Sequence, residues 1–177
     1  MSARARRLLD SIRSMELPRK VKLMNVCGGH ERSISHAGIR GVLPPEVELI
    51  PGPGCPVCIC PEEDVYEAIQ LALNEPLTLL AFGDMLRVPV NVPRSEPRSL
   101  EQAKAAGGDV RVVYSPLDVL AIAQEHPERL VVFFAVGFET TAPTTALLAQ
   151  RALAAKLPNL ALLVCHVRIA PVLEVLL

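Results

Sequence analysis

The chain has 177 residues, half of them hydrophobic, enough for one ordinary domain or for one and part of a second around a sizeable core. Its formal charge of −1, from 18 basic and 19 acidic side chains, gives nucleic acid or an anionic membrane no electrostatic footing. No apolar run approaches the roughly 18 residues that span a bilayer. Arg4, Arg6 and Arg7 are followed by no continuous apolar stretch, which argues against a secretory signal and for a soluble, cytoplasmic protein. In that compartment five cysteines point to metal or redox work more than to structural disulfides.

Leu8, Ile12 and Met15 fall on one face of an amphipathic opening helix, here given residues 1–20. A strand from Val21 to Val26 ends at Cys27-Gly28-Gly29-His30, where the glycines permit a sharp turn, and a helix is predicted from about Glu31 to Arg40. Pro44-Pro45 precede a second strand, Glu46 to Ile50. It delivers Gly52-Pro53-Gly54-Cys55-Pro56-Val57-Cys58-Ile59-Cys60-Pro61 to a helix beginning near Glu62. The third strand, Leu77 to Phe82, runs into Gly83-Asp84 and a proline-rich loop, Val88 to Pro97. A helix from Ser99 to Ala106 then stops at Gly107-Gly108.

The pattern repeats downstream. Strands are predicted over Val110–Tyr114, Leu130–Val136 and Leu160–Val164, with helices over Pro116–Gln124, Pro143–Ala155 and from near Ile169. Alternating elements, with strands apolar on both sides, predict an α/β fold of repeated βαβ units with parallel sheets. We expect two lobes with a cleft between them: residues 21–108, carrying Cys27 and the Cys55/Cys58 turn, and residues 109–177, an incomplete second lobe. Cys27, Cys55, Asp84, Ser115, Glu139 and Cys165 each follow a strand's carboxyl end, the edge where open α/β sheets bind ligands. The apolar run Val172–Leu177 has no cap and no polar tail, and is read as needing something to pack against.

The cysteine turn carries the strongest chemical signal. Two residues between Cys55 and Cys58 let both sulfurs ligate one metal or close a disulfide. A stiff turn opening a helix favours thiolates, whereas Glu62, Glu63 and Asp64 oppose them by repulsion. A zinc ribbon would need a second such pair, and none exists. Cys27, on a bare glycine backbone, is a third candidate of the same site, with His30 as imidazole ligand or proton relay. His36 lies six residues after His30, not the four a zinc-protease helix needs, and reads as a surface residue. Cys60 is read as the cap of the following helix and Cys165 as a small buried residue. Glu139, with Thr140 and Thr141, follows so apolar a strand that an acid/base or supporting role is expected.

These segments resemble the HypD family of [NiFe]-hydrogenase maturation proteins. The matching pieces are Cys27 to His30, Gly52 to Cys58, Phe82 to Pro89, Arg111 to Asp118 and Gly137 to Pro143, in that order and spanning nearly the whole chain from Lys22. The resemblance implies a scaffold, more than a turnover enzyme, that works with a small HypC-type chaperone and with HypE to assemble iron carrying cyanide and carbon monoxide, the Fe(CN)2CO group. It implies that Cys27 is the iron-site thiol shared with the chaperone, and that Cys55 and Cys58 are a redox-active or iron-holding pair. His30 and Glu139 would stand near the iron, with Gly28, Gly29, Asp84 and Thr140 lining the cofactor site.

Three departures stand out. The family's C-terminal portion with cysteines for a [4Fe-4S] cluster has no counterpart here, Cys60 stands where another residue is expected, and Glu31-Arg32 follow His30 where a second histidine is usual. The competing reading is a metal-free thiol–disulfide oxidoreductase cycling Cys55 and Cys58.

Overall fold

A computed structural model describes residues 2–176; Met1 and Leu177, the outer ends of the expected opening helix and closing apolar run, lie outside the described residues. The chain forms two compact units, one ending at Cys58 and the other beginning at Ile59.

In the first unit, helix α1 (Ala3–Arg13) starts where the Ser2 hydroxyl accepts from the amide of Ala5 at 3.2 Å. It stops before Met15, and Arg13 closes it by donating twice to the carbonyl of Val42, at 3.1 and 2.8 Å. Strand β1 (Val21–Asn25), helix α2 (Gly28–His36), a 3-10 turn at Ile39–Gly41, strand β2 (Val47–Pro51) and the single turn α3 (Pro56–Ile59) follow. β1 and β2 pair in parallel, from Val21 opposite Val47 to Asn25 opposite Pro51. Alternation sends Val21, Leu23, Val47 and Leu49 to one face, where with Ile12 and Met15 they line an apolar groove of about 390 Å3. Only Leu9 is buried among this unit's described residues. Strand pairing and tight turns, more than a core, hold the unit's shape.

The second unit supplies the core. It contains α4 (Glu62–Asn74), β3 (Leu77–Ala81), α5 (Leu100–Ala105), β4 (Val110–Val112), α6 (Asp118–Glu125), β5 (Leu130–Gly137), α7 (Ala142–Ala154), β6 (Leu160–His166) and α8 (Ala170–Leu176). Val65, Ala68, Ile69 and Ala72 make the buried stripe of α4, at the spacing that one helical face requires. The four strands are parallel in the order β4-β3-β5-β6. All of β3 is buried, and so is β5 from Val131 onward. Phe133 meets Phe82 edge to face at 5.5 Å, and burying a side chain of that size is worth about 2 kcal/mol.

The α/β class and the parallel pairing are as the sequence reads; the expected lobe boundary at residue 108 differs from the division observed. β3 does not extend the β1–β2 sheet. It lies between β4 and β5, where a strand apolar on both faces must be. The chain steps from β3 out to β4, then returns to the far side of β3 for β5. That reversal opens a switch point between β3 and β5, flanked by Gly83-Asp84 and by the Gly137–Thr141 turn.

The opposite edge of this sheet is clamped. Arg111 donates to both carboxylate oxygens of Asp109 at 2.8 Å. The Thr78 hydroxyl donates to Asp109 at 2.7 Å, while Arg129 donates to the Thr78 hydroxyl and the Leu77 carbonyl. The side-chain amide of buried Asn159 donates to the carbonyls of Ala123, His126 and Arg129, tying the end of α6 to the start of β5.

Candidate functional site

The carboxyl ends of β1 and β2 bring three cysteines to one edge of the first unit. Leaving β1, Cys27 occupies the N-cap position of α2 with extended backbone (φ −96°, ψ 119°), and its side chain makes no capping bond. Gly28 and Gly29 are therefore the first helical residues, not the turn predicted for them, and α2 ends at His36. Cys27 still anchors the helix, because its carbonyl accepts from Glu31 at 2.9 Å.

Leaving β2, Gly52 lies directly on the exit of β1: its amide donates to the Asn25 carbonyl at 2.8 Å. Gly54, at φ 109°, takes a backbone shape that L side chains rarely adopt. The chain then turns through Cys55-Pro56-Val57-Cys58, with Cys58 N–H donating to the Cys55 carbonyl at 2.9 Å. The two sulfurs stand 2.9 Å apart, unbonded, against about 2.05 Å in a disulfide.

The start of α2 is fitted to this pair. A Cβ on Gly28 would come within 3.1 Å of the Cys58 sulfur, and one on Gly29 within 3.7 Å of the Cys27 sulfur. The bare α-carbon of Gly28 thus lets the N-terminus of α2 lie close against the Cys58 sulfur, while Gly29 lies at ordinary contact distance from that of Cys27. The pair is polarised. Cys58 is held below the usual thiol range, chiefly by the hydrogen bond from the Cys55 thiol and further by main-chain amides, those of Gly28 and Gly29 among them. Cys55 is pushed up, chiefly by burial and then by its neighbour Cys58. The helix terminus favouring negative charge at Cys58 is that of α2, whereas the sequence reading looked to the helix following the turn.

His30 is exposed in the first turn of α2. Its neighbour Glu31 is paired with Arg40 at 2.7 Å and accepts from the Ser35 hydroxyl, leaving one carboxylate oxygen buried without a partner. Among the described residues no three His, Cys, Asp or Glu side chains form a ready-made metal site. The three-thiol set expected to hold iron takes the form of a close pair with Cys27 across the glycines. Among the described residues no four cysteines come together, as the ligands of a [4Fe-4S] cluster must.

The remaining candidates belong to the second unit. Asp84 is exposed at the start of a 3-10 turn, Met85–Arg87, and Thr140 is exposed beside Glu139. Glu139 accepts from the amide of Ile169 with both carboxylate oxygens, at 3.0 and 3.1 Å, just ahead of α8. That bond, with the Ala170 amide assisting, holds its carboxyl below the usual range. An ionised anchor for the start of α8 is what the geometry gives. A Cβ at Gly137 would clash with the side chain of Thr141.

Cys60 does not cap α4; Pro61 holds the N-cap position and no side chain bonds there. Burial, aided by the Asp64 charge, pushes the Cys60 thiol up to about 11. Cys165 is buried as expected, and burial with Asp64 nearby pushes it to about 12, so both stay protonated.

The β1–β2 unit thus presents a polarised dithiol and a third thiol at its carboxyl edge, in a chain of the parallel α/β class. The chain matches a family model described as "HypD: Hydrogenase formation hypA family" over residues 3–177. It is 49% identical over 149 residues to the "Hydrogenase maturation factor HypD" of Rhizobium leguminosarum bv. viciae, covering 84% of this chain and 38% of that protein. It is 45% identical over 159 residues to the Escherichia coli (strain K12) protein of the same name, covering 90% and 41%. It is also 45% identical to the "Hydrogenase expression/formation protein HupD" of Azotobacter chroococcum mcd 1, covering 93% and 43%. The chain belongs to the HypD family, and spans about two fifths of the length of these curated relatives.

Proposed function

We propose that this chain carries the thiol centre of a hydrogenase maturation factor, one on which the Fe(CN)2CO group is assembled with a HypC-type chaperone and HypE. The convergence of Cys27, Cys55 and Cys58 on the carboxyl edge of β1 and β2 carries this reading. Iron is the cargo. Thiolate sulfur suits it, and Cys27, its side chain free of any capping bond and followed by two glycines, is the sulfur assigned to hold it jointly with the chaperone.

The pair has a separate task. Closing to a disulfide by exchange, Cys55 and Cys58 pass two electrons and two protons to a partner disulfide, which leaves as two thiols. Their sulfurs are already adjacent, so little of the backbone has to move. The amides of Gly28 and Gly29 stabilise negative charge on Cys58 while Cys55 keeps its proton. The same polarity favours the second reading, a thiol–disulfide oxidoreductase that needs no metal.

Infrared spectra of protein isolated anaerobically with a HypC-type chaperone separate the two. The maturation reading expects cyanide and carbon monoxide stretching bands that track with bound iron. Iron-free protein whose Cys55–Cys58 pair still exchanges with a disulfide substrate would leave the oxidoreductase reading standing.

A further inference from the structure

We infer that Asn25 is the positioning residue of the thiol centre: its side chain fixes Cys27 and its main chain fixes the strand that delivers Cys55 and Cys58. The inference rests on Cys27 acting with that pair, as proposed above, but its geometry can be tested without iron.

The observations are three. The side-chain amide of Asn25 donates to the carbonyl of Cys27 at 3.1 Å, and its side-chain oxygen accepts from the amide of Cys27 at 3.4 Å. One carboxamide thereby satisfies both main-chain polar groups of the residue two positions on, and the carbonyl it holds is the one that receives Glu31 to start α2. The Asn25 carbonyl accepts from Gly52 at 2.8 Å, on the other exit. Asn25 is also the last residue of β1, opposite Pro51, so what it holds is referred directly to the strand ladder.

The bond to Gly52 is main chain and open to any residue, but the two side-chain bonds need a donor and an acceptor on one short side chain. Aspartate has the shape and the acceptor but would set a second oxygen against the Cys27 carbonyl. Serine is too short to reach both groups, and alanine reaches neither. With the carboxamide gone, Cys27 is held only by its helical bond to Glu31, and its sulfur is free to swing from the pair.

The test is thiol bridging by dibromobimane, a short bifunctional reagent, in the full chain, with the linked cysteines mapped by mass spectrometry. Asn25→Ala and Asn25→Asp are compared with the unmodified protein. We expect bridging of Cys27 to Cys55 or Cys58 to fall about five-fold in Asn25→Asp, the factor that one ordinary hydrogen bond supplies, and further in Asn25→Ala, which loses both bonds. Bridging of Cys55 to Cys58 is expected to stay unchanged; the Cys27 amide should lose its hydrogen-exchange protection in Asn25→Ala and keep it in Asn25→Asp, which retains the acceptor. Unchanged Cys27 bridging in Asn25→Asp overturns the inference, as does an equal loss at both bridges, which would mark a general loosening of the unit. A failed maturation role would leave the bridging pattern as it is, so the two ideas fail separately.

Discussion

The amide of Gly52 donates to the carbonyl of Asn25 at 2.8 Å, and a Cβ at Gly52 would stand 2.8 Å from that same oxygen and 3.0 Å from the α-carbon of Val26. Both obstacles are main chain and cannot rotate away. Gly52→Ala is expected to cost about 1–3 kcal/mol, as overpacking does, and to separate the exits carrying Cys27 and Cys55. Gly41→Ala, with nothing within 4 Å of its added carbon, should be near neutral. Urea midpoints of the two variants check the contrast.

Cys58 should be the first cysteine of the pair to react as pH rises. Its thiol is held low, so its thiolate appears below the ordinary thiol range, while Cys55 is raised and appears above it. Iodoacetamide labelling mapped by mass spectrometry across pH 6–9 reads the order directly. Cys55→Ala removes the thiol that donates to Cys58, and should move the Cys58 labelling curve to higher pH.

Asp109 sets an acid limit on the second unit. Its carboxyl is lowered chiefly by the hydrogen bond from Arg111, then by Thr78 and the charges of Arg111 and Arg129. A depressed carboxyl contributes stability that is complete above its unfolded value, about 3.9, and disappears as pH falls through its folded value. Thermal midpoints should therefore drop below about pH 4, and Asp109→Asn should flatten that limb while lowering stability at neutral pH.

Glu139 should protect the start of α8. With both carboxylate oxygens on the Ile169 amide, Glu139→Ala is expected to speed hydrogen exchange at Ile169 several-fold, leaving the amides of β5 and β6 unchanged. Equal exchange in both proteins would contradict the anchoring role.

Much of this was legible in the residues themselves. The Gly-Pro-Gly-Cys-Pro run could only be a stiff turn, and two strands ending at cysteines predicted that Cys27 and Cys58 would approach one edge. Strand partners were not legible: the apolar run of β3 records burial on both faces but not that β4 and β5 flank it. Nor was the partner of Glu139 legible, since Ile169 lies 30 residues away and offers only a main-chain amide. Gly28 and Gly29 read as a turn because glycine disfavours helix. Within α2, Gly28 leaves the space the Cys58 sulfur needs. Asn25 went unread in the sequence, although an asparagine two residues before Cys27 is the signal of a local side-chain turn.

The central claim is that Cys27, in a thiol centre it shares with the Cys55–Cys58 pair, is the sulfur proposed to hold the iron cargo. Iron bound per chain, measured on anaerobically isolated complex with a HypC-type chaperone, tests it most directly. Cys27→Ala should lose most of its iron while Cys165→Ala, altering a buried thiol elsewhere, keeps it. Full iron occupancy in Cys27→Ala would contradict the account.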